Sequence, residues 1–204
     1  MSETIKQLII NMFSGNPTLA TFILAALPIF ELRGAIPFGM STQIWGAAAL
    51  TPISSFLTSF LATTCTIPLV ALVFIPILNA LKKTRTFKTL AHKFELKIKE
   101  KSNKINSTTK LKKLIGVGLF VAIPLPLTGV YTGTCIAIML GLNFYETLVC
   151  VSAGNLVAGL IMLAISTIFK NNTLIILVGF IVLLIIFIVV GLISKVLKSK
   201  KREA

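Results

Sequence analysis

From Thr173 to Ser194 the chain is apolar throughout and carries neither a charge nor a proline. At a helical rise of about 1.5 Å per residue, such a run is long enough to cross a hydrocarbon core about 30 Å thick. Lipid offers no water to a backbone amide, so spanning segments fold as helices or as closed barrels. The rest of the chain points the same way: of its 204 residues, 55% are hydrophobic and 13% charged, a balance rarely found in soluble domains. We expect an all-α integral membrane protein. One membrane domain over residues 1–204 is expected, because little polar sequence remains for a second folded unit.

Charge sets an orientation. The formal net charge is +14, and it is concentrated: twelve Lys and Arg lie between Lys82 and Lys113 against Glu95 and Glu100, and Lys195 to Arg202 adds five more. Short basic segments stay in the cytoplasm, which places the 82–113 linker and the C-terminus on that side. Within the linker, Phe87, Leu90, Ala91, Phe94 and Ile98 fall at helical offsets, with Lys88, Lys93, Lys97 and Lys99 around them. An interfacial amphipathic helix whose Lys88, Lys93 and Lys97 face anionic lipid is one reading, and a solvated topogenic loop is the other. Nucleic acid is not an expected partner, since no aromatic stacking platform or reader motif accompanies the charge.

Residues 1–16 lack the basic start, apolar core and cleavage site of a removable signal. Ile5, Leu8, Ile9, Met12 and Phe13 repeat at helical spacing, which predicts a short helix lying in the interface or packed on the bundle.

Working back from the cytoplasmic tail, 173–194 runs out-to-in and 144–169 in-to-out. The segment 114–142 is interrupted by Pro124-Leu125-Pro126-Leu127-Thr128-Gly129, and both of its ends need the cytoplasmic side. It is therefore expected to enter and return as a re-entrant hairpin. Asn16-Pro17 opens a similar arrangement: an apolar arm to Phe30, a break from Glu31 to Gly39 and a return through Trp45, each arm too short to cross. Segment 47–81, interrupted by Pro52, Pro68 and Pro76, then crosses to the basic linker. The expected architecture is an inverted repeat, 17–81 and 114–197, with two re-entrant hairpins, about three full spans and a basic tail at 198–204. Such repeats commonly hold a site near the midplane.

Ionisable groups at bilayer depth are costly and usually face protein or water, which singles out Glu31 and Arg33. Two positions apart, they do not share a helix face, so a direct pair needs irregular backbone, which Gly34 and Pro37 are expected to supply. Glu31 is either a proton-binding carboxylate, since burial opposes ionisation and a nearby cation favours it, or one half of a fixed ion pair. Arg33 either binds phosphate oxygens or caps exposed carbonyls. Pro124, Pro126, Thr128 and Gly129 either face the first hairpin with carbonyls and a hydroxyl or only form a tight turn. Asn155, beside Gly154 and followed by Ala158 and Gly159, is read as a helix-packing residue with ligand contact second.

Other chemistry finds no material. Cys65, Cys135 and Cys150 lack metal or redox spacing. His92 is the only histidine, Asp is absent, and the six Glu are scattered, so no triad or metal cluster can be assembled. Neither an enzyme nor a cofactor is expected.

Glu31-Leu32-Arg33-Gly34-Ala35-Ile36-Pro37-Phe38-Gly39, Pro124 to Gly129 and Ala153-Gly154-Asn155 together resemble the small multidrug export family of bacterial membrane proteins. The chain departs from the family's usual Gly-Asn element of the first half, having Thr64-Cys65-Thr66-Ile67-Pro68 there. The resemblance implies an inner-membrane exporter. With no nucleotide-binding loop, the expectation is a secondary transporter of small amphipathic compounds, coupled to protons through Glu31. A more distant resemblance to the DedA superfamily implies translocation or scrambling of lipid phosphates, polyprenyl phosphate or phospholipid, which Arg33 suits. A non-transporting scaffold is the third reading. Membrane lipids and the transported solute or lipid are the expected partners, and self-association of the chain is compatible with all three.

Overall fold

The computed structural model describes residues 3–83, 110–125 and 128–169, together with 176, 178, 179, 182, 185, 186 and 189. Pro126, the linker lysines Lys88, Lys93 and Lys97, the basic tail and most of 173–194 lie outside the described residues. The described residues form helices and turns, with no strand among them. In chain order the helices are α1 (Glu3–Met12), α2 (Pro17–Ala25), α3 (Glu31–Gly39), α4 (Thr42–Trp45), α5 (Pro52–Lys83), α6 (Lys110–Ala122), α7 (Val130–Met139) and α8 (Phe144–Ile168), with a 3-10 turn at Gly46–Ala48.

Among the described residues, two helices are long and apolar enough to cross a membrane, over Pro52–Leu78 and Phe144–Ile168. Their side chains are arranged inside out relative to a soluble helix. On α5, Ser55, Ser59, Thr63 and Thr66 are buried while Ile53, Leu57, Leu61, Leu69 and Leu72 are exposed. Leu156, Val157 and Leu160 of α8 are likewise exposed, whereas Asn155 is fully buried. Polar groups pair inside and apolar ones face outward only where the surroundings are themselves apolar. The molecule is a multi-pass membrane protein. Pro68 and Pro76 lie within the single helix α5, a lesser interruption than the sequence suggested, and such prolines are tolerated in spanning helices whose neighbours re-satisfy the backbone.

By contact the chain divides into two compact units, Met1–Ala62 with Pro124–Leu127 and Gly159–Ala204, and Thr63–Ile123 with Thr128–Ala158. In the first unit, α1 meets α2 at 87°. The chain reverses at Ser14 and Gly15, both at positive φ, and the Asn16 side chain caps α2 by accepting from Thr18 N and Leu19 N at 3.0 and 3.1 Å. Ile9, Ile10 and Phe13 pack onto Ala20, Phe38, Ile44 and Trp45, while Leu8 and Met12 stay exposed. Helix α2 packs on α3, with Ala20 near Phe38 and Ala25 near Ala35. Because the contact advances along one helix as it retreats along the other, the pair is an antiparallel hairpin.

The break in this hairpin differs from the expected one. It lies at Ala26–Phe30, and Glu31–Gly39 is a continuous helix containing both Gly34 and Pro37. Pro28 accounts for the shift: the residue before a proline is driven out of the helical region, so α2 stops ahead of it.

The second unit holds α6, α7 and parts of α5 and α8. Helix α6 folds back on α7, with Val121 beside Gly133 and the Lys113 ammonium donating to the Leu140 carbonyl at 3.0 Å. Those two contacts again make the hairpin antiparallel. Ile67, Val117, Val121, Val130, Ala137, Cys150 and Val151 form its core. Helix α8 approaches α6 at Gly154, where a Cβ would run into the Gly118 carbonyl oxygen. At the start of α8, Glu146 ion-pairs with Lys110 and accepts from Asn143 N at 3.0 Å, one of the two bonds of a capping box.

Candidate functional site

Every residue of α3 is buried, including Glu31 at 4% and Arg33 at 1% exposure. Nine residues make a helix only about 14 Å long, so this buried element reaches less than half-way across a membrane. The Arg33 guanidinium donates to the Glu31 carboxylate in a buried ion pair. A regular helix would set these side chains on different faces. The irregularity that brings them together is at Glu31 itself, whose φ is 47°. A non-glycine residue in the left-handed region costs about 1–2 kcal/mol, and Glu31 holds it as the first residue of α3, where the turn from Ala26 to Phe30 enters the helix.

Gly34 and Pro37 have other duties than breaking the helix. A Cβ at Gly34 would lie 3.0 Å from the Phe30 ring, so glycine lets Phe30 fold over the first turn beside the ion pair. Pro37 has no N–H to return to the Arg33 carbonyl, and separately the carbonyls at the C-terminal end of α3 take donors from other elements. Ser55 Oγ of α5 donates to the Ile36 carbonyl at 2.8 Å, and Trp45 Nε1 donates to the Phe38 carbonyl at 3.1 Å. The Phe38 and Trp45 rings meet edge to face at 5.6 Å. Leu50 N closes on the Gly39 carbonyl at 2.8 Å. The ion pair thus sits at one end of a helix whose other end is held by side chains of the same unit.

Ser55 and Trp45 were not singled out in the sequence. For Ser55 a signal existed, since Ser55, Ser59, Thr63 and Thr66 recur at offsets of four, four and three along an apolar helix. Among the described residues of this unit, only Glu3 and Lys6 of exposed α1 carry charge besides Glu31 and Arg33. The buried pair therefore has no third ionised group within its unit among those residues.

The remaining sequence candidates divide. Pro124 falls in the same compact unit as α3. Thr128, Gly129 and Asn155 fall in the second unit. There, Thr128 Oγ1 donates to the Ile123 carbonyl at 2.8 Å and closes the turn between α6 and α7, and Gly129 is the residue from which α7 starts. Asn155 Nδ2 donates to Thr63 Oγ1 at 2.8 Å in a fully buried bond between α8 and α5. These contacts are the local ones that a turn and a helix crossing require. Pro126, Lys88, Lys93 and Lys97 lie outside the described residues.

Residues 31–161 match the model of a family described as "Putative small multi-drug export protein". The match begins at Glu31, runs through both hairpins' described helices from α3 onward and ends within α8. No curated protein and no solved structure compared with the chain matches it.

Proposed function

The chain belongs to that small multi-drug export family, and we propose that it is a secondary transporter that exports small amphipathic compounds, using Glu31 to couple their movement to protons. The observation that carries this reading is the buried Glu31–Arg33 pair on a helix too short to cross the membrane. Charges so placed are usually kept for a pathway or a relay. In this reading α2–α3 and α6–α7 are re-entrant hairpins, each followed by a crossing helix, and the two repeats have opposite orientations in the bacterial inner membrane. The antiparallel fold of each pair and the contact of Lys113 with Leu140 at the base of the second support hairpins that leave on the side they entered. The basic linker and tail then lie in the cytoplasm.

Transport in vesicles with an imposed pH gradient tests the coupling. The wild-type chain is expected to move an amphipathic fluorescent compound at a rate that follows the gradient, and Glu31→Gln to abolish that dependence. Equal gradient dependence in Glu31→Gln would remove Glu31 from the coupling step.

A further inference from the structure

Helix α1 presents three different faces. At about 100° per residue, Leu8 and Met12 fall on one, Thr4, Gln7 and Asn11 on a second, and Ile9, Ile10 and the adjoining Phe13 on a third. The third face is taken, since it packs on Phe38 at the end of α3 and on Ile44 and Trp45 of α4. The second is polar and exposed. The first is apolar and open, Leu8 being 59% and Met12 64% exposed. Direction indicates what covers it. Helix α1 meets α2 at 87°, so where α2 enters the bilayer α1 lies close to the membrane plane. Exposed apolar surface resumes beyond the turn at Leu19, Phe22 and Ile23 of α2. A protein partner needs about 1,000 Å² or more of buried surface, and two side chains bordered by a polar face offer far less. An in-plane helix with one apolar and one polar face is the form that settles in a lipid interface. Glu3 and Lys6 are the charged residues of α1 and cancel, so the apolar face alone would hold it there.

Resting on the transporter reading for the entry of α2 and for the side of the membrane, we propose that α1 is a brace seated in the outer leaflet. Leu8 and Met12 lie among the lipid chains, Thr4, Gln7 and Asn11 face water, and Ile9, Ile10 and Phe13 press on the end of α3. The side follows from α5, which starts at Pro52 just after α4 and ends at Lys83, where the basic linker begins. With that linker in the cytoplasm, α1 and α4 lie at the outer surface. The lipid surface is thus the partner that holds the far end of the helix carrying Glu31 and Arg33. Trp45, the chain's only tryptophan, is buried within the contact and reports on it.

Nitroxide labels on the full chain in phosphatidylcholine liposomes test this, with Cys65, Cys135 and Cys150 replaced and a single new cysteine in each variant. At Leu8→Cys and Met12→Cys, dissolved oxygen is expected to relax the label severalfold more than a water-soluble nickel chelate does. At Gln7→Cys and Asn11→Cys the order is expected to reverse. Because α1 carries no net charge, phosphatidylglycerol liposomes are expected to give the same pattern. Nickel access at all four positions would put α1 in water, and oxygen access at all four would make α1 and α2 one broken span. Exclusion of both reagents from residues 8 and 12 would give that face to a protein. Each of these three results would overturn the proposal. The brace itself is read at Trp45. Leu8→Glu with Met12→Glu is expected to shift its emission to longer wavelength and to raise its quenching by acrylamide severalfold. Gln7→Glu with Asn11→Glu adds the same charge to the water face and is expected to change neither. An unchanged Trp45 in the first pair would overturn the hold on α3. An impermeant maleimide that reaches Gln7→Cys only from the cytoplasmic side would overturn the outer-leaflet assignment and the orientation it rests on. The expected labelling without any gradient-driven export would remove the transporter reading and leave the lipid-seated helix standing.

Discussion

At the scale of single residues, the cost of an unpaired buried charge sets the expected mutational pattern. Removing one partner of a buried ion pair costs about 3–5 kcal/mol, while replacing both can be close to neutral. Arg33→Gln and Glu31→Gln are therefore each expected to destabilise the protein by that amount in detergent unfolding, and the two together by less than the larger single loss. Strict additivity would contradict a coupled pair. Asn155 and its neighbour Gly154 give a second comparison. Hydrogen bonds between membrane helices contribute about 0.6–2 kcal/mol, so Asn155→Ala, which loses the bond to Thr63, is expected to cost that little. Gly154→Ala forces a Cβ into the Gly118 carbonyl and is expected to cost more, about 1–3 kcal/mol or beyond, because two helix backbones must separate. The reverse order would mean that the polar contact with α5 does more to hold α8 than its close approach to α6.

At the scale of elements, the two hairpins were legible in the sequence to different degrees. The second break falls within Pro124 to Gly129 as the sequence suggested: α6 ends at Ala122, α7 begins at Val130, Pro124 and Gly129 lie between them, and the Thr128 hydroxyl closes the turn. The first break was displaced because Gly34 and Pro37 resemble breakers, yet a short helix held from outside tolerates both. The donors that hold it, Ser55 and Trp45, lie 19 and 7 residues from the carbonyls they bond, and sequence spacing does not announce such partners. The need for irregular backbone between Glu31 and Arg33 could be deduced from their spacing; that Glu31 itself supplies it could not, because nothing in a glutamate favours positive φ. Trp45→Phe keeps the ring contact with Phe38 and loses one donor, so it is expected to cost about 0.5–1.5 kcal/mol, whereas Trp45→Ala is expected to cost about 3–5. Equal costs in thermal unfolding would show that the ring contact with Phe38 contributes nothing beyond the indole N–H.

At the scale of the whole molecule, the apolar class and the spans over α5 and α8 follow from composition and run length alone, since a chain with so few charges has no other way to cover itself. The buried faces of those helices were less apparent. Hydropathy averages over a helix and does not report that hydroxyls line one side and leucines the other. A charge on the outward side discriminates the surroundings. Leu61→Arg, at an exposed position near the middle of α5, is expected to weaken membrane insertion by about 2.5–3.5 kcal/mol in an insertion assay. A near-zero effect would mean that this face meets water.

In the transporter reading proposed above, the buried helix α3 is reached by water from each side of the membrane in turn. With Cys65, Cys135 and Cys150 replaced, Ser55→Cys places a nearly isosteric thiol against the Ile36 carbonyl of α3. Labelling by a membrane-impermeant thiol reagent in oriented vesicles is predicted to switch from one side to the other when the pH gradient is reversed. A thiol that stays unlabelled from both sides, or is labelled from a single side under every gradient, would contradict alternating access to α3.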